Sequence, residues 1–274
     1  VTSRGRLMMM ANLVGASSAI LLASLCLPRW LAMGIAGFPW IFGCSAVCFA
    51  IAAGIALTLW EPRYRASEAD QKSRSPMFAA AWRTLKQDAN FRRLGIVAAL
   101  FGSSMMLFPH YQALARDALD IEFHHLYYWV VIQNAGTASF SFIVGPMADR
   151  AGNRRVIRLL LVLLMSAPLL ALALAELPVW GPRLFPLVFL LVGLTPVGVR
   201  VLNNYTLEVT DMAQQPKYLA TLGLCFAVPI VLSPLLGWVV QSTGYFWAFL
   251  VITVAIGLAF AVSWTLEEPR HGKL

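Results

Sequence analysis

The chain has 274 residues, 59% of them apolar and only 12% charged, with a mean hydropathy of +0.71. A water-facing domain needs roughly a quarter of its residues charged, so this composition excludes an ordinary soluble protein and points to the bilayer as solvent. The net charge of +8 would suggest nucleic acid in a soluble chain. In a membrane protein the placement of charge outweighs its sum, and no nucleic-acid partner is expected.

A hydrocarbon core needs about 20 apolar residues as a helix. Taken in order, such runs lie near Leu7–Leu27, Trp40–Trp60, Leu94–Leu114, Leu126–Ala148, Val156–Ala175, Leu184–Leu207, Tyr218–Val240 and Tyr245–Leu266. They predict an all-α polytopic membrane protein with about eight spans. Spanning strands would alternate apolar and polar at every second residue, and these runs do not. The first run is too long for a cleavable signal peptide and lacks a small-residue cleavage site. Cys26, Cys44, Cys48 and Cys225 all lie in or near apolar runs and read as buried thiols. Cys44 and Cys48 share a helix face, but no His or third Cys accompanies them, so no metal or other cofactor is expected.

The basic residues alternate between the two sides of this arrangement. Seventeen of the 21 lysines and arginines fall on one side: Arg4 and Arg6, eight between Arg63 and Arg93, four between Arg150 and Arg158, Lys217, Arg270 and Lys273. Arg29, Arg116 and Arg183 fall on the other, and Arg200 lies within a span. The positive-inside bias places the richer side, and with it both ends of the chain, in the cytoplasm, which predicts a plasma (inner) membrane protein.

Within the long connection Glu61–Arg93, Ser75 and Pro76 read as the cap and first residue of a helix. Phe78, Trp82 and Leu85 recur at helical spacing with Arg83, Lys86 and Gln87 off that stripe. This predicts an amphipathic helix at the interface, acting as a linker or as a regulatory, partner-binding element.

Two segments repeat. Gly37–Arg63 and Gly244–Arg270 align without a gap at an offset of 207, with 10 of 27 positions identical. A shared Gly-x-x-Trp-x-Phe entrance and a Glu-Pro-Arg exit go beyond apolar composition. Trp anchors at the outer interface, Gly permits the turn, and Pro ends the helix. Duplicated halves are typical of secondary transporters.

Between the fourth and fifth spans stands Gly145–Arg155, GPMADRAGNRR, which reads Gly-x-x-x-Asp-Arg-x-Gly-x-Arg-Arg. Through Gly145, Asp149, Arg150, Gly152, Arg154 and Arg155 it resembles the cytoplasmic loop signature of the major facilitator superfamily (MFS). That resemblance implies a bundle of two six-helix halves, present here in part. The repeat copies match the sixth and twelfth helices, which makes residues 1–63 the last two helices of the N-terminal half. Residues 64–93 become the central cytoplasmic loop and 94–274 the C-terminal half. The family's first four helices have no counterpart, so the chain is read as the C-terminal two-thirds of an N-terminally truncated transporter, the other reading being an eight-helix protein. The family pattern also implies a gate, with Asp149 facing the start of a helix in the opposite half, near Gly5–Leu7, and Arg6 beside it.

Polar residues within spans are the substrate candidates, because hydrocarbon cannot satisfy them. His110, Tyr111 and Gln112 follow Pro109, a helix breaker. His110 reads either as a proton-coupling group or as a histidine hydrogen-bonded to a neighbouring helix. Gln133 and Asn134 lie about a third of the way into their span. Arg200, near Asn203 and Asn204, either snorkels to the edge or attracts anions. Phe108, Trp129, Tyr127 and Tyr128 line the same opening or, for the last three, form an interfacial belt. Pro196, Pro229 and Pro234 mark places to bend. No carboxylate is central in a span, so the coupling ion, proton or sodium, is not readable.

The function expected is secondary active transport of a small organic solute, including efflux, by rocker-switch alternating access. Two alternatives stand beside it. A polytopic membrane enzyme would draw on His124-His125 near Asp120 and Glu122, though no H-E-x-x-H spacing exists. A non-transporting permease-like scaffold would need an appended domain. Neither accounts for the repeat, and no catalytic residue is assigned.

Overall fold

In a bilayer every backbone polar group must be satisfied inside the chain, and the architecture follows from that requirement. A computed structural model describes residues 4–59, 77–121 and 126–268, and every element among them is helical. The helices are α1 (Arg4–Ala32), α2 (Phe38–Thr58), α3 (Met77–Gln87), α4 (Ala89–Gly102), α5 (Phe108–Leu119), α6 (Leu126–Ala151), α7 (Asn153–Ala175), a short α8 (Gly181–Leu184), α9 (Pro186–Val192), α10 (Leu194–Val209), α11 (Gln215–Thr243) and α12 (Tyr245–Ser263). Tight 3-10 turns at Gly34–Gly37 and Ser103–Leu107 join α1 to α2 and α4 to α5.

Among the described residues, seven helical runs are long and apolar enough to cross a membrane: Met9–Ala32, Gly34–Thr58, Ala89–Leu119, Asn153–Ala175, Gly181–Val209, Gln215–Thr243 and Tyr245–Ser263. The fourth expected span, α6, is the one not among these; it has 26 residues, enough length at about 1.5 Å per residue. Gln133, Asn134, Thr137, Ser139 and Ser141 make it more polar than the others. The outward surface is apolar, with Phe142, Ile143, Val231, Val251 and Leu258 all exposed, which is the pattern lipid contact requires. Hydroxyls inside the spans bond back to their own helix: Ser141 Oγ to the Thr137 carbonyl at 2.6 Å, Thr206 Oγ1 to Leu202 at 3.0 Å and Thr253 Oγ1 to Phe249 at 2.7 Å. None of these groups meets hydrocarbon unpaired.

The third expected span is not one smooth helix. The ring nitrogen of Pro109 cannot donate to the preceding turn, and the chain tightens into the 3-10 turn Ser103–Leu107 just before it. Pro229 and Pro234, by contrast, sit inside one continuous α11. The expected caps Ser75 and Pro76 lie outside the described residues, as do Arg63, Arg270 and His124-His125.

The core joins α4, α7, α9, α10 and α12, with Phe91, Phe101, Leu160, Phe185, Tyr205 and Phe249 fully buried. Helix α6 packs across α9 and α10 on one side and along α1 on the other. Close approach comes from small residues. A β-carbon at Gly136 would strike the Leu190 carbonyl, one at Gly193 would strike the Gln133 carbonyl, and Thr137 Oγ1 donates to the Gly193 carbonyl at 2.9 Å. The two repeat copies diverge here. Both are helices beginning one residue after their glycine, yet α12 buries Ala248, Phe249, Ile252, Thr253, Ile256 and Ala259, whereas α2 buries no residue.

The α6–α9 contact leaves no room for a larger side chain. Gly193→Leu is expected to destabilise the protein by about 1–3 kcal/mol through overpacking, and Thr137→Ala by about 1 kcal/mol through one lost hydrogen bond. Thermal unfolding in detergent reads both, and a Gly193→Leu protein as stable as its parent would contradict the contact.

Candidate functional site

The signature segment occupies the end of α6 and the start of α7. Gly152 joins them at φ +85°, a backbone region that suits glycine. It is doubly constrained, because a β-carbon there would lie 2.8 Å from Glu268 Oε1. That carboxylate, only 11% exposed, forms an ion pair with Arg154, Nε to Oε2 at 3.2 Å. The loop is therefore docked onto the end of α12.

More groups meet there. The last carbonyls of a helix have no partner within it, and those following α12 are taken by arginines. Arg93 Nη1 donates to the Thr265 carbonyl at 2.9 Å and Arg154 Nη1 to the Leu266 carbonyl at 2.9 Å. Arg158 Nη2 makes longer contacts with the Ser263 and Trp264 carbonyls at 3.4 and 3.5 Å, and its guanidinium carbon stands 4.0 Å from the centre of the Trp264 ring. Cations at a helix C-terminus also meet the negative end of its dipole. Tyr205 donates to the Glu267 carbonyl at 2.6 Å, and the Glu267 amide donates to Asn90 Oδ1 at 3.0 Å. Asn90 and Arg93 from α4, Arg154 and Arg158 from α7, and Tyr205 from α10 thus hold one helix end. None of Asn90, Arg93, Arg158 or Tyr205 belongs to a motif read from the sequence. The signal that points to Glu268 is the repeated Glu-Pro-Arg exit.

A second feature lies along α6. Asn12 Nδ2 of α1 donates to Ser141 Oγ of α6 at 2.8 Å, and both residues are buried. Met9, Asn12, Ser141, Val144, Gly145, Ala148, Val197, Val201 and Asn204 line a cavity of about 20 Å³, room for about one water. Asn12 opposite Ser141, and Met9 with the positions one turn further along α6, define an antiparallel register. Counting eight residues outward from this pair on each helix, about 12 Å at 1.5 Å per residue, reaches Asp149 on α6 and Arg4 on α1. Asp149 is half-buried and Arg150 and Arg155 are exposed. The side chain of Arg6, named above as a partner of Asp149, lies outside the described residues.

Of the expected substrate residues, Asn204 is in this cavity beside Gly145. Gln133, Asn134, Arg200 and Asn203 are half-buried, and the Asn134 amide donates to the Val130 carbonyl of its own helix at 2.8 Å. His110 is half-buried and Gln112 exposed. Tyr111 is elsewhere: it is 2% exposed and packs edge-on against Phe249 and Phe189, with ring centres 5.2 and 6.4 Å away. Trp129, expected at an opening or in an interfacial belt, also belongs to this core, stacked on Phe189 at 4.7 Å. Helices α8 and α9 bring Phe185 and Phe189 over it. The Tyr111–Trp129 cluster and the Gly145–Asn204 cavity therefore sit at opposite ends of α6. Among the described residues, no group of three His, Cys, Asp or Glu residues is placed to hold a metal ion.

The ion pair at the loop carries a measurable expectation. Arg154→Ala would leave a nearly buried carboxylate unpaired, at a cost of about 1–3 kcal/mol, and Glu268→Gln in the same chain should recover part of it. Thermal unfolding of the two single variants and the double variant measures the coupling. Strictly additive losses would show that the pair contributes nothing.

Comparison with known families adds an independent line. A family model described as Major Facilitator Superfamily matches residues 97–274, well over half of the chain. A second, described as sugar transporters with 12 TM, matches residues 8–180. No curated protein matches the chain closely enough to count as a relative. The match over residues 97–274 spans the signature loop together with α7, α10 and α12, and seven of the described helical runs are long and apolar enough for the bilayer. The chain is an integral membrane protein belonging to the major facilitator superfamily of transporters.

Proposed function

We propose that the protein is a secondary active transporter that moves a small organic solute by rocker-switch alternating access, with its basic end in the cytoplasm. In this reading α1 and α2 belong to one half and α4–α12 to the other, joined through the connection that carries α3. The observation that carries the proposal is the antiparallel register of α1 on α6. By that count the Asp149 carboxylate would stand level with the start of α1, where free amides and the helix dipole would favour an anion. The contact would hold the basic end shut and release as the halves rock.

The Asn12–Ser141 hydrogen bond and the cavity beside Asn204 lie one to two turns deeper on the same seam. Opening the gate would expose these neutral amide and hydroxyl groups first. Such groups suit an uncharged, hydroxyl-bearing solute, and the second family description names sugars. Gln133, Asn134, Arg200 and Asn203 are the further contacts we assign to the pathway.

Two measurements test this. In proteoliposomes of the full chain under an imposed proton or sodium gradient, labelled monosaccharides are expected to accumulate against their own gradient. Absence of uphill uptake across a broad solute panel under both gradients would overturn secondary active transport. For the gate, a cysteine at Asn204 in a cysteine-free background reports access from the basic side to a membrane-impermeant maleimide. Loss of an acid–dipole contact corresponds to roughly a 2–5-fold effect, so Asp149→Asn should raise the labelling rate by about that factor. An unchanged rate would remove Asp149 from the gate.

A further inference from the structure

We infer that α3 is a docking site for anionic phospholipid, with Phe78 and Trp82 entering the acyl boundary and Lys86, Arg83 and Arg92 meeting headgroup phosphates. The inference rests on the bundle being embedded in a bilayer, and not on transport.

The argument begins with how α3 is held. A single extended residue, Asp88, separates it from α4. Asp88 caps α4 by accepting from the Phe91 amide at 2.8 Å, and its other oxygen accepts from Tyr218 of α11 at 3.2 Å. The junction is therefore pinned to two spanning helices. Helix α3 also folds back onto them: Ala81 and Thr84 are buried, and a β-carbon at Gly95 would meet Leu85 Cδ2 at 3.0 Å and Cys225 Sγ at 3.2 Å. Gly95 lies six residues inside α4, about 9 Å from its start. Leu85 thus sits alongside the first turns of a membrane helix, at the depth where amphipathic helices rest in the headgroup–acyl boundary.

Around the α3 axis, the protein-facing arc of Ala81, Thr84 and Leu85 is followed by Phe78 and Trp82, then by Lys86 and Arg83. Phe78 is 71% and Trp82 61% exposed. These two rings are covered by no described part of the protein, and Ile96 of α4 is exposed as well. The Lys86 ammonium stands 5.3 Å from the centre of the Trp82 ring, so an apolar ring and a cation are presented together. Helix α3 contains no acidic residue, and Arg83, Lys86, Arg92 and nearby Lys217 are all exposed. An apolar edge bordered by cations, with the Asp88 carboxylate at the junction already engaged by the Phe91 amide and Tyr218, is complementary to an anionic membrane surface, and that complementarity selects phosphate-bearing lipid as the occupant.

The test uses the full chain in nanodiscs of phosphatidylcholine alone or doped with phosphatidylglycerol, read by amide hydrogen exchange over residues 77–87. Exchange is expected to slow when phosphatidylglycerol is present. Arg83→Gln and Lys86→Gln should each cut that gain by about fivefold while leaving exchange in phosphatidylcholine unchanged, which confirms that the exposed variants still fold. Lys86→Arg should retain the gain. Equal protection in both lipids, or a gain that survives both glutamine variants together, would overturn the inference. So would equal slowing of exchange by soluble heparin in phosphatidylcholine discs, because it would assign the face to a soluble polyanion. A negative result here leaves proteoliposome uptake and gate labelling untouched, so the two readings fail separately.

Discussion

The final turn of a helix exposes carbonyls that the helix cannot satisfy, and at a membrane boundary those carbonyls must be met by water or by side chains. Here Arg93, Arg154 and Arg158 converge on the end of α12, the first from the start of α4 and the other two from successive turns at the start of α7. The arrangement solves two problems together. The α12 carbonyls gain donors and cations at the negative end of their dipole, and three guanidiniums that would otherwise repel one another share a field of oxygens and the Glu268 carboxylate. Because Arg93 belongs to α4 and the other two to α7, with Tyr205 joining from α10, the knot ties four helices at one end of the bundle. At the other end Tyr245 donates to Asp117 at 2.6 Å, joining α12 to α5. The central helix of this core is clamped at both ends, which lets the interior between them be held by apolar packing alone.

Helix α6 meets α9 and α10 in one way and α1 in another. Toward α9 and α10 it meets backbone directly, through Gly136, Thr137 and Gly193, a contact that cannot slide without collision. Toward α1 it presents Ser141, Val144, Gly145 and Ala148 beside a cavity, with the Asn12–Ser141 hydrogen bond as a discrete polar link. That polar link and water-sized gap lie within a contact with α1 that runs along much of both helices. The proposed rocking seam lies on this side.

The repeated segments make a related point about what packing adds. Positions that α12 buries as Phe249 and Ile252 correspond to Phe42 and Ser45 in α2, where Phe42 is 69% exposed. The two helices share their entrance glycine and most of their apolar character. They differ in neighbours: α12 lies between α4 and α7, whereas α2 packs mainly beside α1. In lipid an apolar helix is comfortable in either setting, so its own sequence does not decide between them.

Much of the architecture was legible from residue order. Long apolar runs can only be helices in a bilayer, the basic residues sort their ends, and the Gly-x-x-x-Asp-Arg pattern marked the loop around which the basic end is assembled, because each of these signals is local and set by solvent. The identity of the substrate-facing groups was less legible. Tyr111 and Trp129 look from spacing like residues at an opening, and the fold places both in an aromatic core built around Phe189, 60 residues after Trp129 in the chain. Asn204 was a candidate among several, and only its neighbours Asn12 and Ser141, from two other helices, distinguish it. Glu268 read as the end of a repeat and became the counter-ion of Arg154. The sequence by itself determined that the chain is a helical membrane protein, where its helices run and which side of it is basic. Which polar groups meet, and which aromatic rings are core, was decided only by the tertiary structure, since a period of 3.6 residues specifies a face of a helix but not the helix that will cover it.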